Sequence, residues 1–216
     1  QMDILRRTGE GKLSEVFGMK TIEIDALIKA IGINRTANKI VNNLSPQSRN
    51  ILQAYSDGIN AFIKRNQKKL PLEFDFLKYE PEQWKPEHSI IILRLFSLLM
   101  HSSFINKIIE HNIIEKVGVL RSNELLNTNY QNFISIHNKE FFYKLFNIYQ
   151  DICHYTGFYS NYENFSFVVS NFKSKNRSPI LASNLYSPST TPSIWYEISL
   201  HSNKFDVSGL GIPGIP

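Results

Sequence analysis

The chain has 216 residues, 42% hydrophobic and 12% aromatic, enough to bury a sizeable core and too apolar for a disordered polypeptide. Its net charge of +5 is spread thinly, with small groups at Lys64-Arg65, Lys68-Lys69 and Lys173-Ser-Lys175-Asn-Arg177. These sit where a helix end and a hairpin turn are expected, so they read as solvated surface and no nucleic-acid partner is expected.

A single cysteine, Cys153, excludes an internal disulfide and reads as a buried structural thiol beside His154. The longest apolar run, Ile90 to Met100, is interrupted by Arg94 and Ser97. It falls short of the ~20 residues of a membrane span, so a core helix and no membrane span are expected. The first residue is Gln1 and the last are the apolar Gly214-Ile215-Pro216, so both ends are expected to continue into something longer.

From Gln1 to about Gly157, apolar residues recur at helical spacing. Ile4, Leu5, Leu13, Val16 and Phe17 predict a first helix closed by Gly18 as a left-handed cap. Ile22, Ile24, Leu27, Ile28 and Ile31 predict a second, ending at Gly32, and Ala37 to Leu44 a short third. Ser45-Pro46 is a helix start: Ser45 can accept from a free backbone N–H, and Pro46 fills a position that needs none. The helix continues through Ile51, Tyr55, Ile59 and Phe62. Leu70 to Pro81 predicts a proline-bounded connector, and Pro86 reopens a helix. Helical segments run on to about Ile114 and from about Phe141 to His154.

Beyond Tyr155, β-branched and aromatic residues come in short runs separated by Lys-Asn-Arg-Ser-Pro and Ser-Pro-Ser-Thr-Thr-Pro turns, which predicts strands. The runs are Phe167 to Ser170, Ile180 to Tyr186, Trp195 to Leu200 and Phe205 onward. The fold class predicted is α+β, with a helical part at 1–157, a short segment at 158–163 and a β-rich part at 164–216.

Several pieces, in order, resemble one family. They are Gln1-Met-Asp-Ile-Leu-Arg-Arg7, Ala54-Tyr-Ser-Asp-Gly-Ile-Asn-Ala-Phe62, Leu70-Pro-Leu-Glu-Phe74, Tyr79-Glu-Pro-Glu-Gln-Trp-Lys-Pro86, Val168-Val-Ser170, Trp195-Tyr-Glu197 and Gly211-Ile-Pro-Gly214. Each is weak singly, but their joint order is similar to the penicillin acylase family of N-terminal nucleophile hydrolases. The resemblance implies the late helical chain and the first strands of a layered αββα catalytic domain, here incomplete. It implies hydrolysis of linear amides by a serine freed by self-cleavage, whose own α-amine is the general base. The implied partners are a small-molecule amide and the remainder of an acylase precursor, and the implied compartment is periplasmic or extracellular. No cofactor is identifiable, because most of the family's calcium ligands would lie outside this chain.

In that family the junction resembles Gly-Ser-Asn-Asn-Trp before a Val-Val-Ser strand. The ungapped equivalent is Glu163-Asn164-Phe165-Ser166-Phe167, so Asn164 stands in the place of the nucleophile. A carboxamide cannot serve as that nucleophile, so inactivity is expected. Tyr186 falls where the family often keeps a His, a second changed neighbour. Two alternative nucleophiles, Ser160 and Ser166, require an insertion of four residues or a slide of two. The resemblance also allows Phe142 and Phe146 to line an acyl pocket with Tyr186, although their spacing by itself reads as core.

Three other constellations read as structural. Gly209-Leu-Gly211-Ile-Pro-Gly214 matches a dinucleotide fingerprint by letter but lacks its βαβ context. His111 and Glu115 share a helix face without a third ligand, a solvated pair rather than a metal site, and no metal is predicted. His201 and Asp206 with a serine make a triad only on paper.

Overall fold

The computed structural model describes residues 1–67, 69–101, 103–128, 139–158, 165–184 and 190–216. Helix α1 (Met2–Glu10) stops at Gly11, which adopts φ 70° and ψ 42°; the N–H groups of Gly11 and Lys12 return to the Thr8 and Arg7 carbonyls at 3.0 and 2.8 Å. The predicted first helix is therefore two. A one-turn α2 (Ser14–Phe17) follows, and Gly18 has φ 69° and ψ −151°, a positive φ outside the helical cap region, before a 3-10 turn at Gly18–Thr21. The spacing could not show this break, because the start of α2 is fixed from elsewhere in the chain. The Asp25 carboxylate accepts from the N–H groups of Leu13 and Ser14 at 2.8 and 2.9 Å.

Asp25 lies on α3 (Ile22–Ile31), which ends at Gly32 in the left-handed region, as expected. Helix α4 (Ile33–Asn42) follows, then α5 (Pro46–Arg65), where the Ser45 hydroxyl accepts from the Ser48 N–H at 3.2 Å. The proline-bounded connector contains a short α6 (Leu72–Leu77). Helix α7 (Pro86–Met100) is the centre of the core, with Ile91, Ile92, Leu95 and Leu99 completely buried against α1, α4 and α5. Gly9 permits the close approach of α1, since a methyl group there would overlap Ile91 Cγ2.

At His101 the backbone turns extended and separates α7 from α8 (Ser103–Val117). The stretch Pro86–Val117 is long and apolar enough by composition to cross a membrane, but 53% of its most apolar part is buried inside the protein. Helices α9 (Val119–Leu126) and α10 (Lys139–Thr156) complete the helical part.

Beyond Thr156 the described elements are strands, so the class is α+β. Strand β1 (Ser166–Val169) pairs antiparallel with β2 (Ile180–Ser183), Ser166 opposite Ser183. Strand β3 (Tyr196–His201) pairs antiparallel with β4 (Asp206–Gly211), Tyr196 opposite Gly211. Residues around the second hairpin tie it to the helices. Ile194 is buried, the Trp195 and Phe158 rings meet Phe96 of α7 at 6.1 and 5.1 Å, and Gln1 bonds Ser193 O and the Tyr196 hydroxyl at 2.8 and 3.0 Å.

Candidate active site

The entrance to β1 is held by one side chain. Asn184, just past β2, accepts from the Phe165 N–H through Oδ1 at 2.7 Å, and its own N–H donates to the Phe165 carbonyl at 3.0 Å. These bonds extend the ladder by one step and fix the backbone next to position 164. Within the ladder, Ser166 and Ser183 are cross-strand partners whose hydroxyls are 2.7 Å apart. A serine hydroxyl is no general base, so this pairing does not activate Ser166. Asn164, Ser160 and Tyr186 lie outside the described residues.

Phe142 and Phe146 lie on α10, half-buried and packed against the core. Phe142 stacks on His111 with ring centroids 4.8 Å apart, so His111 is half-buried against an aromatic ring rather than solvated as its spacing suggested. Cys153 is buried, and burial pushes its thiol up to about 11, which leaves it inert at neutral pH. His201 and Asp206 are cross-strand partners with Nδ1 and Oδ1 2.6 Å apart, both well exposed, a surface pair on the hairpin.

The strongest electrostatic feature lies on α1. Arg6 is completely buried and bonds Asp3 Oδ1 at 2.6 Å, Glu10 Oε2 at 2.9 Å and Glu82 Oε2 at 3.3 Å. Arg7 bonds Asp3 Oδ2 at 2.9 Å and Glu15 Oε2 at 2.5 Å, and its guanidinium lies 5.0 Å from the Tyr79 ring centroid. Burial would raise the Asp3 carboxyl, but Arg6 and Arg7 outweigh it and hold Asp3 below the usual carboxylate range. Burial, then the Asp3 charge, raises Tyr79.

His88 of α7 closes the cluster. Its Nδ1 accepts from the Lys85 N–H at 3.2 Å, and Nε2 faces Glu10 Oε1 at 3.6 Å. Burial, followed by the charges of Arg6, Lys85 and Lys12, lowers it to about 3, so the ring is neutral at physiological pH. Each acid faces a cation, and among the described residues no group of three or more His, Cys, Asp or Glu could hold a metal ion. The network was legible in part: Asp3, Arg6, Arg7 and Glu10 repeat at three and four residues, the spacing of helical ion pairs, but nothing in that spacing shows burial.

A second feature escaped the sequence. The Asn60 carboxamide on α5 brackets the Trp84 backbone, accepting from its N–H at 2.7 Å and donating to its carbonyl at 2.9 Å. Trp84 in turn packs on Gly214, whose φ of 95° and tight contacts with Trp84 and Ile92 leave no room for a side chain. The Gly209 to Gly214 series is thus strand followed by a packed turn.

Between α5, the connector and the β3–β4 hairpin lies an apolar trough of about 690 Å³, lined by Ile59, Phe62, Phe74, Ile198, Leu200 and Ile212 among others. Asp3 and Glu82 of the ion network and Glu197 also line it.

Helices followed by antiparallel hairpins, with the chain entering β1 through a fixed backbone at Phe165, make an α+β fold. The family model for penicillin amidase matches residues 1–216, and the chain belongs to that family. It is 26% identical to an acyl-homoserine lactone acylase, QuiP, of Pseudomonas syringae pv. tomato over 100% of this chain and 28% of that protein. It is 35% identical to penicillin acylase 2 proenzyme of a Pseudomonas species over 47% of this chain and 13% of the proenzyme. A solved penicillin G acylase from Alcaligenes faecalis aligns with 63% of this chain and 78% of its own at a TM-score of 0.47 and 18% identity. The chain spans little more than a quarter of the length of the full-length curated relatives it matches.

Proposed function

We propose that the chain is a portion of a linear-amide hydrolase whose hydrolytic nucleophile has been replaced at Asn164. The inherited reaction is release of an acyl group from an amine, such as an acylated signalling molecule or a β-lactam nucleus. The observation that carries this reading is the family match over the whole chain, together with the ungapped register from Glu163-Asn164 into Val168-Val169-Ser170. In the family reaction a serine Oγ attacks the amide carbon while the serine's α-amine takes the hydroxyl proton, and hydrogen-bond donors stabilise the oxyanion. Asn164 offers no hydroxyl, and Glu163 replaces the glycine that eases the backbone at the cut. Tyr186, Phe142 and Phe146 are proposed to line the acyl pocket, and an exported, periplasmic or extracellular location goes with the family.

Intact mass and N-terminal sequencing of the product of the whole gene test this. One uncut chain through position 164 is the expected outcome, together with no release of amine from acyl-homoserine lactones or penicillin G. A new N-terminus at Ser160 or Ser166 would overturn the assignment and name the nucleophile. A second reading, a retained non-catalytic binding protein, is favoured over a decaying gene by the intact core: Arg6 keeps its buried partners, and the α7 face is closely packed.

A further inference from the structure

The β1–β2 hairpin carries charge of one sign. Residues 165–184 contain Lys173, Lys175 and Arg177 and no Asp or Glu, so they supply three of the chain's five net positive charges. All three cations lie in the connecting turn and are exposed, and among the described residues none has an ion-pair partner, whereas Arg6, Arg7, Lys107 and Lys144 all have one. The turn has a defined backbone. The Lys173 N–H donates to the Ser170 carbonyl at 3.0 Å and the Arg177 N–H to the Ser174 carbonyl at 3.1 Å, with Arg177 at φ 50°. Beside the cations, Phe172 is 93% exposed, more than any other large apolar side chain among the described residues. The charges alone read as solvated surface. A bare aromatic ring among them does not, because the ring loses by facing water and a reverse turn has no use for it.

We infer that the β1–β2 turn docks on the surface of an anionic phospholipid bilayer, with the Phe172 ring at the level of the headgroups and Lys173, Lys175 and Arg177 against the lipid phosphates. The contact is peripheral and goes beyond the amide-hydrolase reading without depending on it. Charge complementarity selects the occupant: an anionic leaflet offers phosphates to the cations and, just beneath them, an apolar boundary where aromatic rings settle. A nucleic acid fits less well. Tracking its backbone takes a basic groove with successive stacking rings, and here one ring and three cations sit on a single turn. Each basic residue near an anionic leaflet strengthens binding by roughly fivefold, so the three together suffice for a reversible, salt-sensitive contact.

The test is co-sedimentation of the product of the whole gene with vesicles of phosphatidylcholine alone or with about a third phosphatidylglycerol. The expected result is binding at least about tenfold stronger to the anionic vesicles, weakening as salt rises. Replacing Lys173, Lys175 and Arg177 together by Gln should remove at least about tenfold of that binding, and Phe172→Ser should weaken it by about fivefold. Because these side chains are exposed, the melting temperature should stay where it is. Replacing Lys64 and Arg65 by Gln, on the separate helix α5, controls for charge in general and should change binding by less than about twofold.

A direct readout of the ring is Phe172→Trp, whose added fluorescence should shift to the blue with anionic vesicles and stay unshifted with neutral ones. Equal binding to the two vesicle types, no binding to either, or no loss in the triple Gln variant overturns the proposal. So does retention by a single-stranded oligonucleotide that requires the three cations while vesicles are not bound, which assigns the turn to nucleic acid. None of these readouts involves self-cleavage or amide hydrolysis, so failure here is distinct from failure of the Asn164 assignment.

Discussion

Replacing Arg6 by Met tests whether the α1 network is a structural lock. Arg6 is completely buried, and its loss affects its partners unequally. Asp3 retains Arg7 at 2.9 Å, and Glu82 is half-exposed and can be hydrated. Glu10 loses most: its side chain is 7% exposed, and it is left with the partly exposed Lys12 at 3.4 Å and the neutral ring of His88 at 3.6 Å. Removing one partner of a buried pair costs roughly 3–5 kcal/mol, because the other charge stays buried and uncompensated. With a urea m-value of about 2 kcal/mol/M for a domain of this size, the midpoint should fall by about 1.5–2.5 M. The paired variant Arg6→Met with Glu10→Met removes that carboxylate as well and should recover about half of the loss or more. In Arg6→Met the His88 ring, relieved of one repelling cation and facing a carboxylate that has lost its nearest one, should titrate above its native value of about 3, as NMR of the ring protons would show. A loss under about 1 kcal/mol, or no recovery in the double variant, would refute the reasoning.

His88 also sets a pH dependence. Its folded pKa of about 3 lies below the ordinary 6.5, so between those values the unfolded chain binds the extra proton and stability falls as pH drops, by at most about 1.4 kcal/mol per unit. Urea midpoints at pH 7 and 5 should show the drop, and His88→Gln should flatten it. The depressed Asp3 carboxyl adds stability that is fully present above about 4 and lost as pH falls through its folded value. At Gly214 an added methyl meets Ile92 and Trp84 in a left-handed backbone, so Gly214→Ala should cost at least about 1–3 kcal/mol by urea unfolding. Gly58 lies exposed in the middle of α5 with nothing within 4 Å of an added Cβ, so Gly58→Ala should instead stabilise by about 0.5–1 kcal/mol in the same assay.

The amino-acid sequence by itself determined the family and most of the element order, because the signals concerned are local. Pro46 and Pro86 open helices, Gly32 closes one, and the β-branched runs after Tyr155 form strands. The ordered motifs that carry the family resemblance need no folding to be read. Only the tertiary structure decided where α1 ends, since α2 is capped by Asp25 from a later helix. It likewise decided that Arg6, by type a surface residue, is completely buried, and that Asn60 and Asn184 bracket backbone far away in sequence. These are contacts between residues distant along the chain, and periodicity is silent about a partner that another element brings. For the same reason the alternation of β3 is recognisable in the sequence, while the fact that Tyr196, Ile198 and Leu200 line a trough appears only once α5 and the connector are placed beside them.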